Sequence, residues 1–492
     1  MGKQNTGAPK QIKNYEGRGG KIDMTLEAIL SMAKQYLALG LILVLAVGLA
    51  AAAGYYIIYR KLMKGTRRLR AARVVWCAVF LCYLTVLLAA TLLNRSGSWT
   101  GGRVMPLFYS YREAWNSFSA VQWRNLVLNI LLFVPLGFLL PAGIRIFRKF
   151  WVTYLAGFLL TVLIELAQLV LGRGVVEMDD IFNNFLGTMI GFGGYAAVLC
   201  ICRSVKKKKT HAAAAATFQI PLIAAGLAFA AVIIVYSRQE LGNLPSSYIV
   251  RQDMDRVRVS SDAVYSQKSG TAPVYKVSVL SRDETGAMAK EFFARLGQEP
   301  DESRTDLYDE TAVYYSTDNT MLWIDFSGGT FSYIDFGLLD ADPQETEPDA
   351  DAEESEVREA MSGYGIDLPD GMTFENQGEG QYVFAAYQQR DGDTLYNGQF
   401  SCTLYEDGRM GEIRNYIVAC EKYKDMAVIS EKEAYEQILD GKFRWYGEEP
   451  GELVLGDVAL VYQTDSKGFY QPVYSFRIQG DTENAVLVPA VQ

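Results

Sequence analysis

Along the first half of the chain, apolar residues run for the length that a membrane crossing needs. Spanning ~30 Å of hydrocarbon as a helix takes about 20 residues. Runs of that kind lie at about 36–59, 74–93, 126–144, 151–171, 184–202 and 217–236. The first is long, follows about 35 mostly polar residues and shows no small-residue cleavage site that stands out, so it reads as a span and not as a cleaved signal. Beyond residue 250 the pattern shortens. Alternating aromatic and polar residues punctuated by Gly-Gly and Asp-Gly, as at 311–336 and 381–418, predict antiparallel hairpins. Helix-like stretches at 284–297, 355–365 and 431–441 lie between them.

These elements predict an α-helical polytopic membrane domain of about six transmembrane helices, followed by an α+β domain. The expected layout starts with a disordered basic tail at 1–35, then a first span and basic loop at 36–73. A core membrane domain follows at 74–203, then a linker and last span at 204–237. The second half is expected as two lobes, 250–340 and 356–492, each a short helix on an antiparallel sheet. An acidic linker at 341–355 would divide them.

Charge separates the halves further. Residues 1–250 carry 27 Lys+Arg and 9 Asp+Glu, and residues 251–492 carry 20 and 47. A basic apolar half suits a bilayer with anionic lipid on its inner face. The acidic half argues against nucleic-acid binding, which needs basic surface. Basic loops at 60–73, 145–150 and 203–209 alternate with less basic segments at 94–125 and 172–183. The positive-inside rule then puts those three loops in the cytoplasm and the C-terminal domain outside it. The expected location is the cell membrane, multi-pass, with an extracytoplasmic C-terminal domain.

Cys77, Cys82, Cys200 and Cys202 lie in apolar runs and read as buried, inert thiols. Cys402 and Cys420 could form a disulfide in an oxidising compartment. A hairpin turning at Asp407-Gly408, however, would set Cys420 near residue 395 rather than opposite Cys402. The single histidine, His211, sits beside a lysine run, so His-dependent triads and His-ligated zinc cannot be built in the acidic half. No metal site and no cofactor are expected.

Polar groups inside apolar spans are costly and draw attention for that reason. Asn129 lies in the third run. Glu165 and Gln168 lie three apart on one helical face in the fourth, with Arg173 just beyond. Asp179, Asp180, Asn183 and Asn184 open the fifth, and Asn94 and Arg95 close the second. Loop charge alone places Asn129, Glu165, Gln168, Arg173, Asp180 and Asn184 at the same outer level. Arg173 or Arg95 could pair with Glu165 or Asp180. Three readings stay open: a structural hydrogen-bond lattice, a pocket for a lipid-linked or headgroup-like ligand, or polar residues that never meet. Pro135 is expected to kink its helix. Gly137, Gly187 and Gly191 are expected to let helices pack closely.

The stretches "NILLFVPLGFLLP", "IELAQ" and "GRGVVEMDDIFNNFLGTMIG", in that order, resemble the VanZ-like family of bacterial membrane proteins over residues ~75–200. The family pattern maps onto Asn129, Phe133, Pro135 and Gly137, then Glu165 and Gln168, then Arg173, then Asp180, Asn184, Gly187 and Gly191. Glu177 departs from it where the family more often has Asp, and the spacing from Arg173 to the acid is slightly long. The family's founding member is associated with low-level resistance to teicoplanin, a lipoglycopeptide. The resemblance therefore implies an envelope role, with lowered susceptibility to such antibiotics, a membrane lipid, envelope precursor or glycopeptide as partner, and a Gram-positive host. The stretches "EKEAYEQILDGKF", "GDVALVYQ", "QPVYSFRIQG" and "AVLVPAV" make residues ~270–490 similar to two-lobed extracytoplasmic proteins that restrain cell-wall sensor kinases. That implies the alternative of a membrane-anchored sensor or regulatory module with a membrane-protein partner. An enzyme acting on an undecaprenyl-type lipid, with Glu165 or Asp180 as acid or base, is the third and least favoured reading. The chain offers carboxylates but no recognised catalytic set.

Overall fold

The computed structural model of the chain describes residues 61, 70–93, 104–171, 176–308, 310–340, 347–445, 451–481 and 484–492. The expected tail and first span, together with Asn94, Arg95 and Arg173, lie outside the described residues. The chain divides near residue 240 into a membrane-type helical unit and a sheet-rich C-terminal unit.

The helical unit begins with α1 (Ala71–Leu88), which runs on through a π turn at Ala89–Leu93. After a two-residue strand β1 (Val104–Met105) come α2 (Tyr109–Ser117), α3 (Ala120–Gly143), α4 (Phe150–Val170) and a second short strand β2 (Val176–Glu177). Then follow α5 (Met178–Val205), α6 (Ala212–Thr217) and α7 (Ile220–Arg238). Among the described residues, five stretches are long and apolar enough to cross a membrane: Ala71–Leu92, Ala120–Gly143, Phe150–Val170, Met178–Val205 and Ala212–Arg238. They coincide with the last five of the six expected runs.

Glycines set how these helices meet. A Cβ on Gly187 or Gly191 would lie 2.0 Å from the carbonyl oxygen of Ile130 or Val134, and one on Gly137 would lie 2.0 Å from that of Thr188. Only hydrogen fits there, so α3 and α5 touch backbone to backbone and run parallel. On the other side of α5, Gly157 meets Thr188 and Thr161 meets Asn184, so α4 is antiparallel to α5. Near the start of α1, Trp76 Nε1 donates to the Leu139 carbonyl at 2.9 Å, toward the end of α3. The basic stretches at the start of α1, between α3 and α4, and after α5 therefore share one end of the bundle. The polar stretches share the other end.

The helical unit buries an apolar cluster of Leu87, Phe133, Leu136, Leu140 and Ile164 and, beside it, the mostly polar inner face of α4. On α4 the buried positions are Thr153, Gly157, Thr161, Ile164, Glu165 and Gln168. Leu155, Leu159, Leu163 and Leu166 point outward. Cys77 and Cys202 also face out of the bundle, contrary to the expectation that they are buried.

The C-terminal unit holds β3 (Arg258–Ser261), β4 (Gly270–Val277), α8 (Arg282–Arg295), β5 (Pro300–Leu307), β6 (Thr311–Ser316), β7 (Thr320–Asp325) and β8 (Phe331–Asp335). It continues with α9 (Phe336–Leu339), α10 (Glu354–Gly363), β9 (Thr373–Gly378), β10 (Gln381–Asp391), β11 (Thr394–Leu404) and β12 (Met410–Asn415). Last come β13 (Val418–Val428), α11 (Glu431–Leu439), β14 (Glu452–Thr464), β15 (Phe469–Ile478) and β16 (Ala485–Pro489). Both α8 and α11 start in a capping box, Ser281 with Glu284 and Ser430 with Glu433, which satisfies two otherwise orphaned donors at each end.

The strands join one 14-stranded sheet, ordered β3-β14-β15-β4-β13-β11-β12-β8-β7-β6-β5, with β10 and β9 branching from β11 and β16 from β15. The expected division into lobes at 341–355 is not confirmed. β4 pairs with β13 and β8 with β12, so strands from 250–340 and 356–492 interleave. One apolar core joins Phe292, Phe293, Leu322 and Tyr333 to Met361, Phe384 and Phe400. A second joins Val257 and Ala272 to Ile438, Phe476 and Val488. The expected acidic linker does not separate the cores. Pro348 bridges to Tyr405, and Ala352 is buried in the first core.

The hairpin at Asp407-Gly408 forms as read, and Cys420 lies opposite Leu395 while Cys402 lies opposite Ile413. Both cysteines are free, and burial pushes each thiol up to about 12.

Candidate functional site

The polar positions of the bundle collect where α2, α3, α4 and α5 meet. On α5, Asp180, Asn184 and Thr188 recur every four residues and share one face. On α4, Thr161, Glu165 and Gln168, spaced by four and then three, also share one face. The antiparallel register that sets Gly157 against Thr188 and Thr161 against Asn184 brings Glu165 to the level of Asp180 one turn further on. The main-chain N–H of Glu177 donates to Glu165 Oε2 at 3.2 Å, consistent with that register.

Hydrogen bonds tie the helices across this layer. Asn129 Nδ2 on α3 donates to Asp180 Oδ1 at 2.6 Å. Asn184 Nδ2 donates to Thr161 Oγ1 at 2.9 Å. Gln168 Nε2 donates to the Thr91 carbonyl, in the π turn, at 2.8 Å. Glu165, Gln168, Asp180 and Asn184 are all buried, and Asn129 is partly so. Five of the six residues singled out in the sequence thus lie in one layer at one end of the bundle. Arg173 lies outside the described residues.

The part that α2 plays in the layer escaped the sequence reading. The short helix α2 is fastened to the start of α5 by Asp179, whose two carboxylate oxygens accept from the main-chain N–H groups of Phe108, at 2.5 Å, and Ser110, at 2.7 Å. A carboxylate at a helix N-terminus meets both orphaned donors and the positive end of the helix dipole. Tyr111 on α2 donates its hydroxyl to Asn183 Oδ1. Burial pushes that phenol up to about 12, which keeps it a donor at neutral pH. Ser110 Oγ reaches Glu177 Oε2 at 3.3 Å, and β1 pairs with β2 in parallel beside it. No local signal marks α2 as part of the layer. The density of Asp and Asn at 179–184 was the available hint that α5 begins before its apolar run.

Three atoms of the layer remain unmet. Gln168 Oε1, Asn183 Nδ2 and Asn184 Oδ1 are shut away from solvent and have no hydrogen-bond partner. Their residues are 2%, 0% and 4% exposed, so water at the surface does not reach them. Each unmet buried group costs about 1–3 kcal/mol. Both acceptor and donor capacity are open, which suits a ligand able to give and to receive hydrogen bonds. Among the described residues, no group of three or more His, Cys, Asp or Glu is placed to hold a metal ion.

A sequence model of the VanZ/LLP1 family matches residues 75–201. That segment is VanZ-like. It contains the whole polar layer, the spans α3 and α4 and most of α5. No curated protein matches the chain.

Proposed function

We propose that the VanZ-like domain binds a polar headgroup of an envelope lipid or of a lipoglycopeptide within its buried layer, and that this lowers susceptibility to teicoplanin-type antibiotics. The observation that carries the reading is the set of unmet atoms at Gln168, Asn183 and Asn184. Hydrocarbon offers them nothing, and a purely structural lattice would have closed on itself. Hydroxyl or amide groups of a ligand supply both senses of hydrogen bond. The loop-charge orientation sets this layer at the outer leaflet, where such a ligand is met, and sets the C-terminal unit outside the cytoplasm. Glu165 and Asp180 would hold the ligand's donors from facing helices.

The test is teicoplanin susceptibility of Gram-positive cells carrying wild type, Glu165→Ala, Asn183→Leu or an empty vector, at matched membrane levels. Wild type is expected to raise the inhibitory concentration several-fold, with both variants near the vector. Equal susceptibility in all four strains would remove the resistance reading.

A further inference from the structure

A second set of unmet groups opens α3. Trp123 Nε1 and Arg124 Nε and Nη2 are enclosed, and none has a hydrogen-bond partner. All three are N–H donors, and neither side chain can accept. Arginine keeps its charge under physiological conditions. Two consecutive residues therefore present a fixed positive charge and three donors with nothing to receive them. Arg124 is part-buried, and a charge whose enclosed N–H groups lack an acceptor is costly near a membrane surface.

The polar layer does not supply the missing partner. Arg124 precedes Asn129 by five residues, so at about 100° per residue the two side chains leave α3 roughly 140° apart. Asp180 takes the amide of Asn129, and Asp179 takes two main-chain N–H groups of α2. An aromatic wall stands on the other side. The Trp123 ring meets Phe118 edge-on at 6.0 Å and Phe229 of α7 at 5.9 Å, and Phe118 stacks on Tyr236 near the end of α7. Trp and Tyr concentrate at the headgroup level of membranes. The start of α3 adds to the positive field, since its N-cap Ser119 makes no side-chain cap and its first turn holds no acid.

We propose that Trp123 and Arg124 form a phosphate site, filled by the phosphodiester of a membrane lipid packed between α3 and α7. The guanidinium fork matches two oxygens of a phosphate, and the indole N–H is placed to serve another. The group compensates the charge as well as the donors, which water cannot do. This site is distinct from the layer at Glu165 and Asp180 and does not depend on its ligand.

The experiment uses the full chain in an uncharged maltoside detergent and follows Tm during titration with three probes. These are phosphatidylglycerol, diacylglycerol of the same acyl chains, and inorganic phosphate. Phosphatidylglycerol is expected to raise Tm by about 3 °C or more, as ligand binding to the folded state requires. Diacylglycerol should leave it unchanged. Arg124→Met should abolish the shift, yet its lipid-free Tm should equal or exceed that of wild type, because an uncompensated charge is gone. Trp123→Phe keeps the ring and should weaken half-saturation about tenfold, the worth of one charge-assisted hydrogen bond. A response to inorganic phosphate as strong as to the lipid would keep the phosphate site and make its occupant a soluble anion. The proposal is overturned if diacylglycerol matches phosphatidylglycerol, if neither phosphate probe shifts Tm, or if Arg124→Met retains the full response. Should that variant not accumulate, Arg124→Gln carries the same comparison.

Discussion

On α4 of the membrane unit the buried positions include Thr153, Thr161, Glu165 and Gln168, whereas on β10 of the C-terminal unit they are Tyr382, Phe384 and Ala386. These two elements bury opposite chemistry, and their units differ in how completely they satisfy the polar groups they bury. Asp465 of the C-terminal unit is buried, and its carboxylate accepts from the main-chain N–H groups of Gly242, Lys467 and Phe469 and from Gln471 Nε2. Of the buried side-chain polar atoms described there, only Ser246 Oγ is unmet. The membrane unit leaves atoms of Trp123, Arg124, Gln168, Asn183 and Asn184 unmet. Water can repair a defect near the surface of a soluble domain, but hydrocarbon cannot. An open polar atom is therefore a stronger pointer to a ligand in the first unit than in the second.

Asp465 offers the largest effect by which this comparison can be broken. Replacing it by alanine strands four donors that converge on one carboxylate, and should cost about 3–5 kcal/mol. Hydrogen exchange of the full chain should show 465–471 losing protection, with the membrane helices unchanged. If Asp465→Ala is as stable as wild type, polar satisfaction does not hold this unit together. The counterpart in the membrane unit is Gly187→Ala. Its new Cβ would stand 2.0 Å from the Ile130 carbonyl oxygen, so α3 and α5 must part, at a cost of about 1–3 kcal/mol. Gly194→Ala, whose nearest neighbour is a Phe138 ring carbon at 3.8 Å, should stay within about 0.5 kcal/mol of wild type by Tm. Equal losses in the two variants would mean that close helix approach is not what sets the polar layer.

How much of this could be read in advance follows from the range of the forces. The apolar runs locate the five described spans because hydropathy is a local property. Their polar ends were cut short, however: α5 begins at Met178 and not near 184, and α3 at Ala120 and not near 126. Trp123 and Arg124 read as loop in a hydropathy window, yet both are helical. What holds α5's first turn is contact with α2 and α3, which composition does not record. The face shared by Glu165 and Gln168 was legible from spacing, as were the hairpin at Asp407-Gly408 and the register of Cys420. The pairing of β4 with β13 and of β8 with β12 joins residues far apart in the chain. Local alternation predicts a strand without naming its partner, so two separate lobes were expected where one interleaved sheet stands.

The smallest predicted effect sharpens the comparison through its thiols. Cys402 and Cys420 are walled in by apolar side chains, and burial lifts both from an ordinary value near 9 to about 12. Above pH 9 the unfolded chain sheds these protons while the folded chain keeps them, so the unfolded state binds fewer protons and stability falls as pH rises toward 12. At pH 10 the loss should be on the order of 1 kcal/mol per thiol. Cys402→Ala should flatten that slope measurably, and a reductant should leave Tm unchanged at neutral pH, because neither thiol is paired in a disulfide. A maleimide probe added to the native protein in detergent should mark Cys77 and Cys202, which face out of the bundle, well before Cys402 or Cys420. Rapid labelling of Cys402 would mean that the sheet core opens as readily as the lipid-facing surface of α1. The contrast between a closed C-terminal core and a membrane layer with unmet polar atoms would then no longer hold.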